Sequence, residues 1–312
     1  MSIFISGSVA YDTILSFNGV FADHLLEGSL KKINLTFQTP VMSKNFGGCA
    51  ANIAYGLKAA GGEPLIVTAV GKDSAEYFNH LKELGIRTDA IKVINEAFTP
   101  QAFITTDSLG NQMTAFHEGA MAFADQALPA EDEKLDFGII TPTDTRVMKA
   151  HTRYLNAHNT PVIWDMGQAS AYVTGEDIEW FIEHVDIVTL SAYEWDVLSH
   201  KTGLSQRAVA SRLRALIMTE GAQGATLFTN GDSFHFDALP VQGPIYPVGC
   251  GDAFRGGLLR ALSLSLDWDD TMRLASLMGA IKAQHPQAQG YCANTNEIAR
   301  LFRRAFNKEI SL

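Results

Sequence analysis

Residues 247 to 252, "PVGCGD", lead directly into an apolar helical run, "AFRGGLLRAL". Successive N–H groups of a glycine-rich turn can point into one concavity, and the positive end of a following helix strengthens the attraction for an anion. The turn Gly249–Cys250–Gly251 therefore suits a phosphate, and glycine permits both close approach and a positive φ. Asp252, at the helix start, could orient a substrate hydroxyl and take its proton as that hydroxyl attacks a terminal phosphate. The helix terminus favours the ionised carboxylate by roughly 0.3–1 kcal/mol, so Asp252 is expected to be a weak base. Phosphoryl transfer tolerates a weak base, because its loose transition state depends on positioning and charge stabilisation. Taken alone, the stretch is equally an ordinary Asp cap after a glycine turn.

Two other stretches place polar groups where ligands bind. In "NFGGCAANIAYGL", residues 45 to 57, Gly47 and Gly48 precede a helix with an apolar stripe of Ile53, Ala54, Leu57 and Ala60. Asn52 lies on its first turns, facing either a ligand or solvent, and the paired glycines would let a ring or ribose approach the main chain. Asp12 follows the first strand in "GSVAYDT". Ligands of open α/β sheets bind at the carboxyl ends of strands, so Asp12 could accept hydrogen bonds from two vicinal sugar hydroxyls, or could simply cap a loop. The Met and Phe residues of "QMTAFHEGAMAF" are either a ligand-stacking wall or the core of a lid. The sequence has no G-x-x-x-x-G-K-[ST] loop, no G-x-G-x-x-G after the first strand and no protein-kinase His-Arg-Asp loop. H-E-x-x-H, paired-cysteine metal spacing and G-x-S-x-G are absent too, so the nine histidines read as structural or solvated.

Alternating strand and helix signals must position these groups. A first buried strand is expected over Ile3 to Val9. "EPLIVTAVG" reads as a strand before a helix from Ser74 to Leu84, capped by Asp73, ended by Gly85 and buried along Phe78, Leu81 and Leu84. Strands recur at "FGIIT", "PVIWD", "VDIVTL" and "ALIMT", which argues for a parallel sheet with helices on both faces. "GATLFTNGDSFHF" reads as a hairpin turning at Asn230-Gly231. A last helix from about Asn296 puts Ile298, Leu301, Phe302, Ala305 and Phe306 on one face. Two β excursions interrupt the rhythm: residues from about 12 to 44, including the extended "KKINLTFQTPVM", and the hairpin "QAFITTD-SLGN-QMTAFHE" within about 98 to 118. Together they would form a small sheet over the body, giving one domain, 1–312, with a β lid.

Composition narrows the partners. A chain of 312 residues, 46% hydrophobic, has ample core for one large domain. Its net charge of -10 argues against nucleic acid and anionic membranes, both of which require dense Lys/Arg. Phosphate handling must then be local, by backbone N–H groups and a few cations. Cys49, Cys250 and Cys292 are too few and scattered for a disulfide framework or zinc cluster, and a cytoplasmic setting is expected. The start "MSIFISGSVAYD" resembles neither signal peptide nor membrane span.

An early strand and Asp, then Gly-Gly-x-x-x-Asn, then a late Gly-x-Gly-Asp before a helix resembles the ribokinase (phosphofructokinase-B) family over essentially the whole chain. "DSLGNQMTAFHEGAM" and "GDAFRGG" look more like its bacterial adenosine kinases and related nucleoside kinases than its sugar kinases. The resemblance implies an α/β fold, a ribokinase-like three-layer sandwich with a mostly parallel sheet and a small β-sheet lid. It implies ATP- and magnesium-dependent phosphorylation of a primary hydroxyl, here the 5′-hydroxyl of a nucleoside, with adenosine, converted to AMP in purine salvage, the leading acceptor. Asp12, Gly48 and Asn52 would hold the ribose, with Ser8 and Thr36 near the nucleoside. Phe103 and Phe116 would sandwich or edge the purine, with Met121 and Gln168 nearby. Asp252 would be the catalytic base and Gly249, Cys250 and Gly251 the anion hole. "MTEGAQGA" would place Thr219, Gly221 and Gly224 along ATP, and Glu194 matches the glutamate of an Asn-x-x-Glu motif associated with magnesium and phosphate. No residue is assigned as a direct metal ligand, and a homodimer through the β lid is compatible with the pattern.

Three positions depart from the family. Ser191 stands in place of the Asn of Asn-x-x-Glu, weakening its phosphate-side contact. Cys250 replaces a usual Ala or Val and keeps its N–H. Tyr246-Pro247 stands where many members have Asp-Thr, whose Asp commonly helps bind a monovalent cation. Potassium dependence is therefore expected to be weak, with carbonyls around Tyr246 and His285 to Gly290 forming any residual site. The rival readings are a ribose or fructose kinase of the same family, a kinase of broad nucleoside specificity, and a nucleotide-binding protein that transfers nothing.

Overall fold

The apolar runs form strands and the periodic segments between them form helices. In the computed structural model, which describes residues 1–24, 36–291 and 294–312, the first half holds β1 (Ser2–Ser6), β2 (Ala10–Ser16), β3 (Val41–Gly47), α1 (Cys49–Ala59), β4 (Pro64–Gly71), α2 (Ala75–Glu83), β5 (Ile91–Ile94), β6 (Gln101–Thr106), β7 (Gln112–His117) and β8 (Leu135–Ile140). There follow α3 (Thr145–Ala157), β9 (Val162–Asp165), α4 (Gly175–His184), β10 (Ile187–Ser191), α5 (Ala192–Thr202), α6 (Gln206–Ala210), β11 (Ala215–Thr219), β12 (Ala225–Thr229), β13 (Asp232–Phe236), α7 (Cys250–Ser263), α8 (Trp268–Ala283) and α9 (Thr295–Phe306). Residues 31–35 of the stretch read as extended, and Cys292, lie outside the described residues.

Nine strands form the main sheet in the order β13-β12-β11-β10-β9-β8-β1-β4-β5. All pairs are parallel except those of β11 with β12 and β12 with β13. Parallel strands buried on both faces read as near-continuous apolar runs, and successive residues feed two different cores. Ile3, Ile5, Ile187 and Ile217 join Ile53, Leu81 and Leu258 of α1, α2 and α7. Phe4, Val188, Leu190 and Leu216 join Met148, Phe181, Leu198 and Val209 of α3 to α6. The three layers are thus helix, sheet and helix, with α8 and α9 packed outside α7. Asn230 and Gly231 turn the β12–β13 hairpin with φ of 52° and 86°, the backbone a two-residue turn demands.

The smaller sheet has the order β3-β2-β6-β7, with β2 parallel to β6 and the outer pairs antiparallel. Its strands come from the two β excursions read as a lid. Two local expectations change. The first strand ends at Ser6 rather than Val9, because the chain leaves the main sheet at Gly7, where φ is 150° and a Cβ would lie 1.8 Å from Thr141 Oγ1. Asp12 therefore belongs to lid strand β2. Asp73 does not cap α2, which starts at Ser74 without a side-chain cap. Its carboxylate instead accepts from the Thr99 N–H and hydroxyl, both at 2.7 Å, tying the start of α2 to the approach to β6. Tyr77 and Leu81 form the buried stripe of α2, with Phe78 and Leu84 only half-buried.

Helices α1 and α7 cross backbone to backbone. A Cβ on Gly256 would lie 2.8 Å from Leu57 N and 3.1 Å from Gly56 Cα. Alanine is favoured over glycine in a helix interior by about 1 kcal/mol, but here the methyl meets main chain that cannot rotate away. Gly256→Ala is expected to destabilise by roughly 1–3 kcal/mol, the usual range for overpacking. Gly279→Ala on α8 is the control: its methyl would meet nothing closer than 3.5 Å, so it should be neutral or stabilising by about 0.5–1 kcal/mol. Urea denaturation compares the two, and a Gly256→Ala protein as stable as wild type would mean that α1 is free to move aside.

Candidate active site

Gly249 is the N-cap of α7, with φ of 83°, and Asp252 is the third residue of the helix. The opening N–H groups of a helix have no intrahelical partner. That of Cys250 donates to Pro247 O at 3.1 Å, so it is engaged in the turn rather than held ready for an anion. Those of Gly251 and Asp252 remain as the helix's anion-facing donors. A side chain on Gly249 would run into Ala288 at 2.8 Å, so the glycine is also needed for close packing against residues 285–290.

The start of α1 faces the start of α7. Asn52, buried on α1, donates through Nδ2 to Asp252 Oδ2 at 2.9 Å. Its Oδ1 accepts from Gln289 Nε2 at 2.9 Å, and the same Gln289 nitrogen donates to the Tyr77 hydroxyl at 2.9 Å. The Tyr77 hydroxyl donates to Gly47 O at 2.6 Å, and His80 Nε2 bonds Gln289 Oε1 at 2.9 Å. This chain fixes the Asn52 amide: its oxygen must face Gln289, so its NH2 must face Asp252. Gln289, Tyr77 and His80 were not singled out from sequence. Tyr77 stands one residue from the stripe read over Phe78, Leu81 and Leu84, and Gln289 sits in a polar loop without a pattern.

Burial pushes the Asp252 carboxyl above the usual range, while Arg255, the Asn52 hydrogen bond and Lys282 pull it back and Glu194 adds to the rise. The lowering expected from the helix terminus is thus outweighed by desolvation, and the carboxyl is raised instead. Below α7, Arg255 pairs with Asp165 at 2.5 Å, both buried. Burial raises the Asp165 carboxyl to about 7 although Arg255 opposes it. Neither residue stood out in the sequence, though Arg255 is one turn beyond Asp252.

Asp12 lies opposite Asn45 and Ala102 in the lid. A Cβ on Gly47 would be 2.2 Å from Asp12 Oδ2, so the glycine makes room for this carboxylate. Burial raises the Asp12 carboxyl to about 6, and the Asp252 charge adds to the rise. Gly48 serves the start of α1: a Cβ there would lie 2.5 Å from Ser8 O. The Ser8 hydroxyl accepts from Cys49 N at 3.0 Å, capping the same helix.

The lid register separates the two phenylalanines. Phe116 pairs with Ala102, which pairs with Asp12, so all three share a face. Phe103 pairs with Thr13 and Ala115 on the opposite face. The expected sandwich of one purine between Phe103 and Phe116 is therefore corrected, since successive strand residues point to opposite sides. Met121 is buried in a short helical turn, Gly119–Gln126. Gln168 is exposed and accepts from Cys49 Sγ at 3.4 Å. Thr36 is exposed in an irregular segment, and no described hydrogen bond joins it to Asp12 or Asp252.

On the other side, Ser191 and Thr219 pair at the carboxyl ends of β10 and β11. Ser191 Oγ accepts from Glu194 N at 3.3 Å and Glu194 Oε2 accepts from Ser191 N at 2.7 Å. The departure from asparagine thus forms a capping box for α5. Gly224 is required by the fold, since a Cβ would lie 2.0 Å from Phe236 O, whereas a Cβ on Gly221 would face open space.

A family model described as pfkB family carbohydrate kinase matches residues 16–296. The structure of Burkholderia thailandensis nucleoside kinase in complex with inosine is 37% identical and superposes with a TM-score of 0.89, covering 98% of this chain and 99% of that one. The same protein in complex with ADP-inosine gives 38% and 0.86, covering 98% of this chain and 97% of that one. A nucleoside kinase of Methanocaldococcus jannaschii is 28% identical over 252 residues, 80% of this chain and 82% of that protein. Among the described residues, no helix is long and apolar enough to cross a membrane.

The raised Asp12 carboxyl also bears on stability. Its folded value of about 6 lies above the ~3.9 of a free Asp, so between the two the folded chain binds more protons than the unfolded. Ionised Asp12 therefore opposes folding above pH 6, and this opposition fades as pH falls through 6 towards 4. Asp12→Asn should raise Tm at about pH 8 and raise it less at about pH 4.5. A Tm unchanged at the higher pH would show that the carboxylate is hydrated there without cost.

Proposed function

Because the chain belongs to the pfkB family of carbohydrate kinases, we propose that it transfers the terminal phosphoryl group of ATP to the 5′-hydroxyl of a purine nucleoside, adenosine first among the acceptors. The observation that carries this reading is the hydrogen bond that holds Asn52 against Asp252 at the α7 start, with Asp12 on the lid close enough for the Asp252 charge to raise its carboxyl. Asp12 would serve the vicinal hydroxyls of a ribose and Asp252 the hydroxyl that reacts. The inosine complex of the Burkholderia thailandensis relative supports a nucleoside over a free sugar.

Asn52 occupies Asp252 Oδ2, leaving Oδ1 to accept from the 5′-hydroxyl. As that oxygen attacks the terminal phosphorus, its proton passes to Asp252 and the bond to the ADP oxygen breaks. The N–H groups of Gly251 and Asp252 and the helix end face the phosphate charge, in a site that the lid would shield from water. Phe116, on the Asp12 face, offers a ring to the base. Magnesium bound with ATP would offset phosphate charge. The donor set fits an ion carried by the nucleotide: Glu194 would face it through Oε1, which no hydrogen bond engages among the described residues, while its Oε2 is tied to Ser191 N.

Coupled assays of ATP consumption with adenosine, inosine, guanosine, cytidine, ribose and fructose test the acceptor class. Nucleosides should be used at least about tenfold more efficiently than the sugars, a difference of about 1.4 kcal/mol in transition-state binding. Asp252→Asn should abolish turnover while leaving nucleoside affinity near wild type, since proton acceptance acts only in the transition state. Efficient use of ribose or fructose but not nucleosides overturns the acceptor; an active Asp252→Asn overturns the base.

The two phenylalanines separate base recognition from lid packing. Base–aromatic stacking contributes roughly 1–3 kcal/mol by alanine substitution. Phe116→Ala should therefore raise the nucleoside KM by about tenfold or more, whereas Phe103→Ala should leave it near wild type. Equal effects of the two substitutions would assign both to lid order.

A further inference from the structure

Lys282, in the last turn of α8, is completely buried. Among the described residues no carboxylate lies within ion-pair distance of it. Its ammonium donates instead to two main-chain carbonyls, Tyr246 O and His285 O, both at 2.9 Å. Burying a charge without a counter-ion is costly unless hydrogen bonds satisfy it, so this lysine calls for an account. Its surroundings supply one. Tyr246 N donates to Ala283 O at 2.9 Å and Cys250 Sγ donates to Tyr246 O at 3.3 Å, so Tyr246 links α8 to the first residue of α7. The His285 segment leads to Ala288, which packs on Gly249, and to Gln289, which orients Asn52. A Cβ on Gly249 would lie 3.5 Å from Lys282 Cε. The ammonium thus clamps the two chain segments that meet behind the Gly249–Gly251 turn.

The same two carbonyls are what a bound potassium ion would need. Hard cations prefer oxygen ligands, with a carboxylate supplying compensating charge. Here Tyr246 brings no carboxylate, and its carbonyl and that of His285 already hold a cation of the chain's own. The residual potassium site expected from the sequence does not fit. We propose that Lys282 is a positioning residue that acts as a built-in monovalent cation, clamping the Tyr246 and His285 segments so that the glycine turn and Asn52 stay aligned with Asp252. Its charge also lowers the Asp252 carboxyl in opposition to burial. The inference rests on the reading of the turn as the phosphate site, but the ammonium's occupation of the carbonyls does not.

Wild type and Lys282→Ala are compared in potassium, ammonium or tetramethylammonium chloride at fixed ionic strength and magnesium. Wild-type Tm and turnover should be the same in all three. Lys282→Ala in tetramethylammonium should lose at least about tenfold in kcat, equivalent to about 1.4 kcal/mol, with a smaller change in nucleoside KM. Potassium or ammonium, small enough to enter the vacated place, should restore part of kcat and raise the variant's Tm, as binding to the folded state requires. Three results overturn the proposal: wild-type turnover or Tm that needs potassium, a variant whose kcat stays within about threefold of wild type, or a folded variant that no small cation restores. If Lys282→Ala does not fold, the wild-type comparison decides, since potassium raising its Tm would place a metal site there. If wild type consumes ATP with no acceptor, the kinase reading fails while the melting comparison still reports on Lys282.

Discussion

The starts of α1 and α7 are held together by the Asn52–Asp252 hydrogen bond, 2.9 Å long between residues 200 positions apart. Both helices begin at glycines, and they cross where a Cβ on Gly256 would collide with the main chain of Gly56 and Leu57. Two helix N-termini brought this close concentrate partial positive charge in one place. The approach of the two helix starts and the contact of Asn52 with Asp252 follow from that crossing. A helix pair spaced by ordinary side chains would leave Asn52 short of Asp252.

Around this junction Asp165, Arg255 and Lys282 are buried and Asp252 is partly buried. Asp252, Asp165, Arg255 and Lys282 are each perturbed by burial first, and by neighbouring charged or ionisable groups after it. Such groups seldom increase stability, because desolvation can exceed what pairing returns. Their value is positional. Arg255 and Lys282 moderate a carboxyl that burial alone would drive higher. The two cores on either face of the nine-stranded sheet supply the stability that the junction spends.

The lid works by a simpler rule. Its strands alternate faces, and the register places Asp12, Ala102 and Phe116 together while sending Phe103 to the far side. Gly47 leaves room for the Asp12 carboxylate where any side chain would strike it. Which side chains share a face of this sheet is therefore a matter of parity along paired strands, with sequence proximity counting for little.

The sequence by itself determined what depends on neighbours a few residues away. The apolar runs of β1, β4 and β8 to β11, the Asn230-Gly231 turn, the amphipathic α9 and the glycine turn before Asp252 are all local patterns, and all are present. Tertiary structure decided whatever depends on register or burial. It ended β1 at Ser6, with Asp12 inside β2, took Asp73 away from α2 to Thr99, and split Phe103 from Phe116. It gave Asn52 its partners Asp252 and Gln289, joined Arg255 to Asp165, and turned Lys282 inward onto two carbonyls. A strand pairing or a buried charge is fixed by groups distant in the chain, and its free energy exists only once the packed interior has excluded water.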